Sequence, residues 1–321
     1  MPVPVMTIAS CLTRTSRRGG GYQRRGLWRA LDADCGRGSA TPRGPVLILV
    51  WNVLWPALLA GAVAVLVTVA IERFGGVLGG ILGTLPTTIV PASLGLWDGD
   101  PAAFAQTMGA VPAGMLLNAG FLYLWRILPP LLPAGQPLGV RLTWMTGISL
   151  AAWAVAALTL TLTLGRLGGW TVVVGIVTTV AIIGVGMAAT FTPRPAPRGS
   201  RKVGPTTLIL RGALAAGAIA VAVLLKDAGG PVAAGMASVF PAIFVTTMVS
   251  LWLAQGEAVP AGAVGPMMLG SSSVASFALL AALVYPFTGP WLGVLVAWPL
   301  TLVTTTLPAY AWLRLRPAPT G

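Results

Sequence analysis

The sequence has no histidine, only two cysteines and only seven acidic residues among 321. The missing histidine removes the commonest metal ligand and the commonest general base. Cys11 and Cys35 both lie near the N-terminus. The remaining chain therefore offers no disulfide, thiolate nucleophile or cysteine metal site. Charged residues make up 8% of the chain, against about 25% in a soluble domain. So few charges cannot clothe a water-soluble surface, and a soluble globular fold is excluded on that ground.

What is present is apolar: 56% of the residues are hydrophobic. They come in blocks long enough to cross a bilayer as helices, which takes about 20 residues. Barrel strands would be about 10 residues long and strictly alternating, and these blocks are neither. The reading is an all-α polytopic integral membrane protein with about nine spans. They lie near 46–71, 74–97, 102–127, 142–164, 170–191, 205–225, 229–253, 261–285 and 290–312. The expected location is the cytoplasmic (inner) membrane, with the lipid bilayer as principal partner.

Eight of the 20 basic residues stand in positions 1–43. That segment is expected to be a solvated, disordered basic tail, or the product of a start assigned upstream of the true one. A nucleic-acid role is not expected, because no folded reader accompanies the arginines. Beyond the tail the organisation reads as repeat 1 with its following loop (44–140), linking helices and a basic loop (141–203), and repeat 2 (204–321).

The repeat rests on register. AGAVAVLV at 60–67 returns as AGAIAVAV at 216–223, and GILGTLP at 80–86 as GMASVFP at 235–241. Trp97 pairs with Trp252, and Pro112 with Pro266. All of these offsets fall between 154 and 156 residues. The unit is three to four helices long and recurs after five spans. If every block crosses, the two copies are inverted, the common plan of secondary transporters. Charge adds a constraint. With nine crossings and the tail inside, the basic loop 193–202 and Arg314 fall outside, against the positive-inside tendency. Either the tail is spurious and the core has its C-terminus inside, or spans two and seven are re-entrant hairpins and the repeats are parallel. The first is preferred, since both segments are long enough to cross.

Spans two and seven carry the candidate site. Each combines glycines that permit close helix approach with a proline that opens the helix. Each also has a cluster of hydroxyls: Thr84, Pro86, Thr87 and Thr88 in one, Ser238, Pro241, Thr246 and Thr247 in the other. Glycine- and proline-interrupted helices in matching positions of two halves point to a mid-membrane binding site. The competing reading is packing, with the hydroxyls bonded to their own backbone. Asn118 in span three matches Ser272 in span eight, either as solute contacts or as interhelical hydrogen bonds. Arg211 is the charged residue placed inside a span, and either faces a cavity or snorkels to the headgroups.

The stretch Gly80-Ile-Leu-Gly-Thr-Leu-Pro86-Thr, with the polar loop and apolar helix after it, resembles the small GlpM-like bacterial inner-membrane proteins. The whole chain resembles two such units fused, over 46–128 and 205–285. The resemblance implies membrane class, duplication and a link to envelope polysaccharide production. Two functions are therefore expected: a carrier or exporter of an unknown small solute, or a non-transporting subunit of an envelope system. An enzyme is not expected, and no catalytic residue, metal site or cofactor is assigned.

Overall fold

The computed structural model describes residues 45–74, 85–133, 135–191, 204–256 and 258–315. Thr84 and the glycines of 75–84, the basic loop 193–202 and the N-terminal tail lie outside the described residues. All regular structure among the described residues is helical. In chain order the helices are α1 (Pro45–Phe74), α2 (Ile89–Leu96), α3 (Pro101–Ile127), α4 (Leu138–Leu167), α5 (Thr171–Thr190), α6 (Pro205–Ser238), α7 (Ala242–Gln255), α8 (Ala258–Thr301) and α9 (Leu307–Arg314). Among the described residues six segments are long and apolar enough to cross a membrane, which fits a multi-pass membrane protein. From Trp51 onward they belong to one packed unit.

Local chemistry explains the boundaries. Asp100 caps α3 by accepting from the amides of Ala102 and Ala103 at 2.9 and 3.3 Å, and Pro101 occupies the first helical position, where its missing N–H costs nothing. Two of the six segments are composite. Helix α6 turns at Gly230-Pro231 and α8 at Gly289-Pro290, and both glycines hold positive φ (82° and 73°). Such a backbone suits glycine alone, and proline then starts the next helix.

Contacts show that both turns reverse the chain. Helix α6 runs from Arg211, beside Thr68, to Val223 and Lys226, beside Gly95 and Asp98. After Gly230 it returns along α3: Gly235 packs on Thr107, Val239 on Gly114, and Trp252 of α7 on Trp125. After Gly289 the chain folds back on α8, bringing Gly293 to Tyr285 and Thr305 to Ser276.

Helix α3 is the centre of the bundle, with 72% of its apolar stretch buried, whereas α4 has 17% and is exposed over most of its surface. Helix α5 records the direction of its neighbours. Gly109 of α3 packs at its start, and Arg126 of α3 donates to the Ala189 carbonyl at its end (3.0 Å). Along α8 the order is the opposite: Gly265 meets Ala189, Leu269 meets Gly186, and Leu279 meets Gly175. Helices α3 and α8 therefore run antiparallel.

Candidate functional site

Pro241 stands in a break between two helices, and Pro86 in non-helical backbone just before α2. Non-helical backbone occupies Leu85–Thr88 before α2 and Val239–Pro241 before α7, because proline lacks an amide and its ring clashes with the preceding turn. Around the two breaks lies a cavity of about 460 Å³. Corresponding residues of the two units reach it, 155 positions apart: Leu85 with Phe240, Thr87 with Ala242, Thr88 with Ile243, and Ile89 with Phe244. The wall is completed by α1, α3, the first half of α6, and α8.

The sequence-derived residues distribute as follows. Thr87, Thr88, Asn118, Arg211, Ser238 and Thr247 line the cavity. Thr246 is buried just behind it and is held by Arg211. Pro86 and Pro241 stand beside lining residues and shape the breaks without being part of the wall. Ser272 is fully buried, bonded to the Leu269 carbonyl of its own helix, and its neighbours Ser271 and Ser273 take the wall positions instead. Ser272 points away from the wall: an assignment by register fixes the turn, and packing fixes the face.

Asn118 is 2% exposed. Its Nδ2 donates to the carbonyl of Val239 at 2.8 Å. That carbonyl is one that the break before α7 releases from helical bonding, and in an apolar interior it needs a partner. Helix α3 of one unit thus stabilises the break of the other.

Arg211 does not snorkel. It is 7% exposed. Its Nε donates to Thr246 Oγ1 at 3.1 Å, one terminal nitrogen to Thr68 at 2.8 Å and the other to Thr247 at 3.0 Å. Thr68 and Thr246 donate their own protons to the carbonyls of Ala64 and Ala242, so their lone pairs face the guanidinium. The cluster ties α1, α6 and α7 together. Thr68 was not singled out from sequence; it is 143 positions from Arg211 and carries no local signal.

The two ends of the bundle differ. At one end Lys226 pairs with Asp98 (2.8 Å), which also accepts from the Asp100 amide (3.0 Å). Partial burial pushes the Asp98 carboxyl up; the Lys226 hydrogen bond, the Asp100 amide and the Lys226 charge outweigh it and hold the group below 3.8. Beside that pair Trp97 packs edge-on against Phe104 and Tyr285, and the Tyr285 hydroxyl bonds to Ser93 at 2.8 Å. Gly95 is pressed against Pro56 and Val223. The cavity does not reach this packing and extends instead toward the opposite end, past Arg211 to Leu251 and Met267. There Trp252 packs on Trp125, and Arg126, Arg141 and Arg314 gather, Arg126 and Arg141 bonded to the Ala189 and Pro129 carbonyls. Trp97 thus packs against both α3 and α8, and Trp252 against α3.

Among the described residues no cluster of three metal-ligating side chains occurs. Comparison with known proteins gives no further guide: no family model matches the chain, and neither a curated protein nor a solved structure is significantly similar to it.

Proposed function

We propose that the protein is a small-solute transporter or exporter of the cytoplasmic membrane, whose solute binds between two inverted three-helix units. The observation that carries this reading is the convergence of both broken helices, at positions 155 residues apart, on one cavity. Interrupted helices in matching positions of two halves are the usual framework of a carrier's mid-membrane site.

Inversion is supported by the antiparallel course of α3 and α8 along α5, and by the reciprocal packing of Trp97 on Tyr285 and Trp252 on Trp125. Counting the reversals at Gly230 and Gly289 as separate passes gives eight crossings among the described residues. The two units are read as a fused pair of the GlpM-like type. The end bearing Arg126, Arg141 and Arg314 faces the cytoplasm, since the opposite end carries Asp98, Asp100 and Asp227 against Arg166 and Lys226 and basic residues favour the inside. The one-sided reach of the cavity fits a state accessible from the cytoplasmic end.

The test is transport by the purified protein in liposomes against a panel of sugars, amino acids, organic acids and cations. Uptake or counterflow of one class, reduced in Thr87→Val and Thr246→Val at equal reconstitution, supports the reading. Absence of flux for every class, in protein that unfolds cooperatively, refutes it.

A further inference from the structure

The serines of the cavity wall spend their protons on their own helices. Ser238, Ser250, Ser271 and Ser273 donate to the carbonyls of Gly235, Thr246, Met268 and Gly270, the usual course for a hydroxyl inside a helix. Thr247 departs from that pattern. Its Oγ1 accepts from Arg211 at 3.0 Å, and among the described residues no acceptor takes its proton. A hydroxyl has one proton to give. Thr247 is half-buried on the wall, so that proton is available to the cavity. Accepting from a guanidinium also polarises the hydroxyl into a stronger donor.

Charge singles out the same place. The Arg211 guanidinium sits between two wall residues, bonded to Thr68 at 2.8 Å and to Thr247 at 3.0 Å. Arginine stays protonated in proteins, and beside apolar walls its field is weakly screened. Among the described residues the wall carries no aspartate or glutamate, so it offers no carboxylate to an ammonium group or a metal ion. Thr87 and Thr88 face the cavity from the other break, partly exposed and with no side-chain hydrogen bond among the described residues. They add hydroxyl protons and no charge. Much of the remaining wall is apolar, including Met115, Ile219, Phe244 and Val274. At about 460 Å³ the cavity is of the size of small-molecule sites.

Building on the transporter reading, we propose that the cavity takes an organic monoanion, a carboxylate on an apolar body. The carboxylate accepts the Thr247 proton, with the Arg211 guanidinium directly behind that hydroxyl. Arg211 keeps all its hydrogen bonds in this arrangement and acts through its charge. The apolar walls hold the body. The wall's one described cation matches one negative charge, whereas a dianion would bury a second charge without a counterpart.

The test uses the full-length protein in detergent and three probes of matched shape: 4-methylpentanoate, its neutral amide, and the cation 4-methylpentylammonium. Calorimetric titration and thermal shift should show the carboxylate binding about tenfold more tightly than the amide, the order by which a hydrogen bond to a charged group exceeds a neutral one. The ammonium should not bind. Butanoate, hexanoate and octanoate should bind more tightly as the chain lengthens, because the body is held by apolar contact. In Thr247→Val the preference for carboxylate over amide should fall several-fold, and Thr247→Ser, which returns the hydroxyl, should restore it. If Thr247→Val does not fold, the three-probe comparison on the unaltered protein decides alone. Equal binding of carboxylate and amide, tighter binding of the ammonium, an unchanged preference in Thr247→Val, or no binding of any of the carboxylates overturns the proposal. Carboxylate binding without flux in liposomes would remove the transporter reading and keep the site. Flux of a sugar or cation without carboxylate binding would do the reverse.

Discussion

Replacing Gly186 by alanine, with Gly184 as its partner on the same helix, tests the close helix crossings most directly. A β-carbon built at Gly186 would lie 2.7 Å from Leu269 Cα, 2.8 Å from Leu269 N and 3.2 Å from Leu269 Cβ. The two nearest are backbone atoms of α8 and cannot rotate away. Restoring ordinary contact requires α5 and α8 to separate by about 1 Å, since apolar atoms rest at about 3.5–4.0 Å. Overpacking of this kind costs about 1–3 kcal/mol. The helix itself gains about 0.5–1 kcal/mol from losing a glycine. At Gly184 a β-carbon meets nothing within 4 Å, so only the gain of about 0.5–1 kcal/mol remains. The two variants should therefore differ by about 1–3 kcal/mol, Gly184→Ala being the more stable. At about 2–4 °C per kcal/mol for a chain of this class, thermal unfolding followed by tryptophan fluorescence should separate the midpoints by several degrees. Equal midpoints, or Gly186→Ala melting higher, would refute the assigned α5–α8 contact.

Three further outcomes are expected. Asp98 has its carboxyl held below 3.8 in the folded protein, so its contribution is present above that value and is lost as pH falls through the lowered folded-state value. Asp98→Asn should lower the stability at pH 7 by less than about 1 kcal/mol, because the Asp98 side chain is partly exposed, and the difference from the unaltered protein should shrink below pH 4. Arg211→Met removes three hydrogen bonds from a buried charge and should destabilise by about 2–4 kcal/mol; Thr68→Val removes one of them and should cost less, and an equal loss in both variants would contradict the shared cluster. Gly230→Ala forces an alanine to φ 82° and should cost about 1–2 kcal/mol, whereas no loss would mean that the chain does not reverse there.

The membrane class, the helical fold and the approximate limits of the segments were legible in the sequence, because lipid leaves no other way to satisfy a long apolar backbone. The two helix breaks were legible as well, since proline at 86 and 241 acts through its own ring and missing amide. The chain reverses at Gly230 and Gly289, close to expected span limits, but neither glycine was read from sequence as a turn. Which side of each helix faces the cavity was decided by tertiary packing alone. Ser272 was drawn from register with Asn118, yet Ser271 and Ser273 hold the wall, because a helix advances about 100° per residue and sequence spacing does not fix its rotation about the axis. The role of Arg211 was likewise beyond sequence. Its position in α6 allowed either lipid headgroups or a cavity, and the choice depended on Thr68, Thr246 and Thr247 arriving from two other helices. Local chemistry set where the chain breaks; the packing of helices distant in sequence set what those breaks enclose.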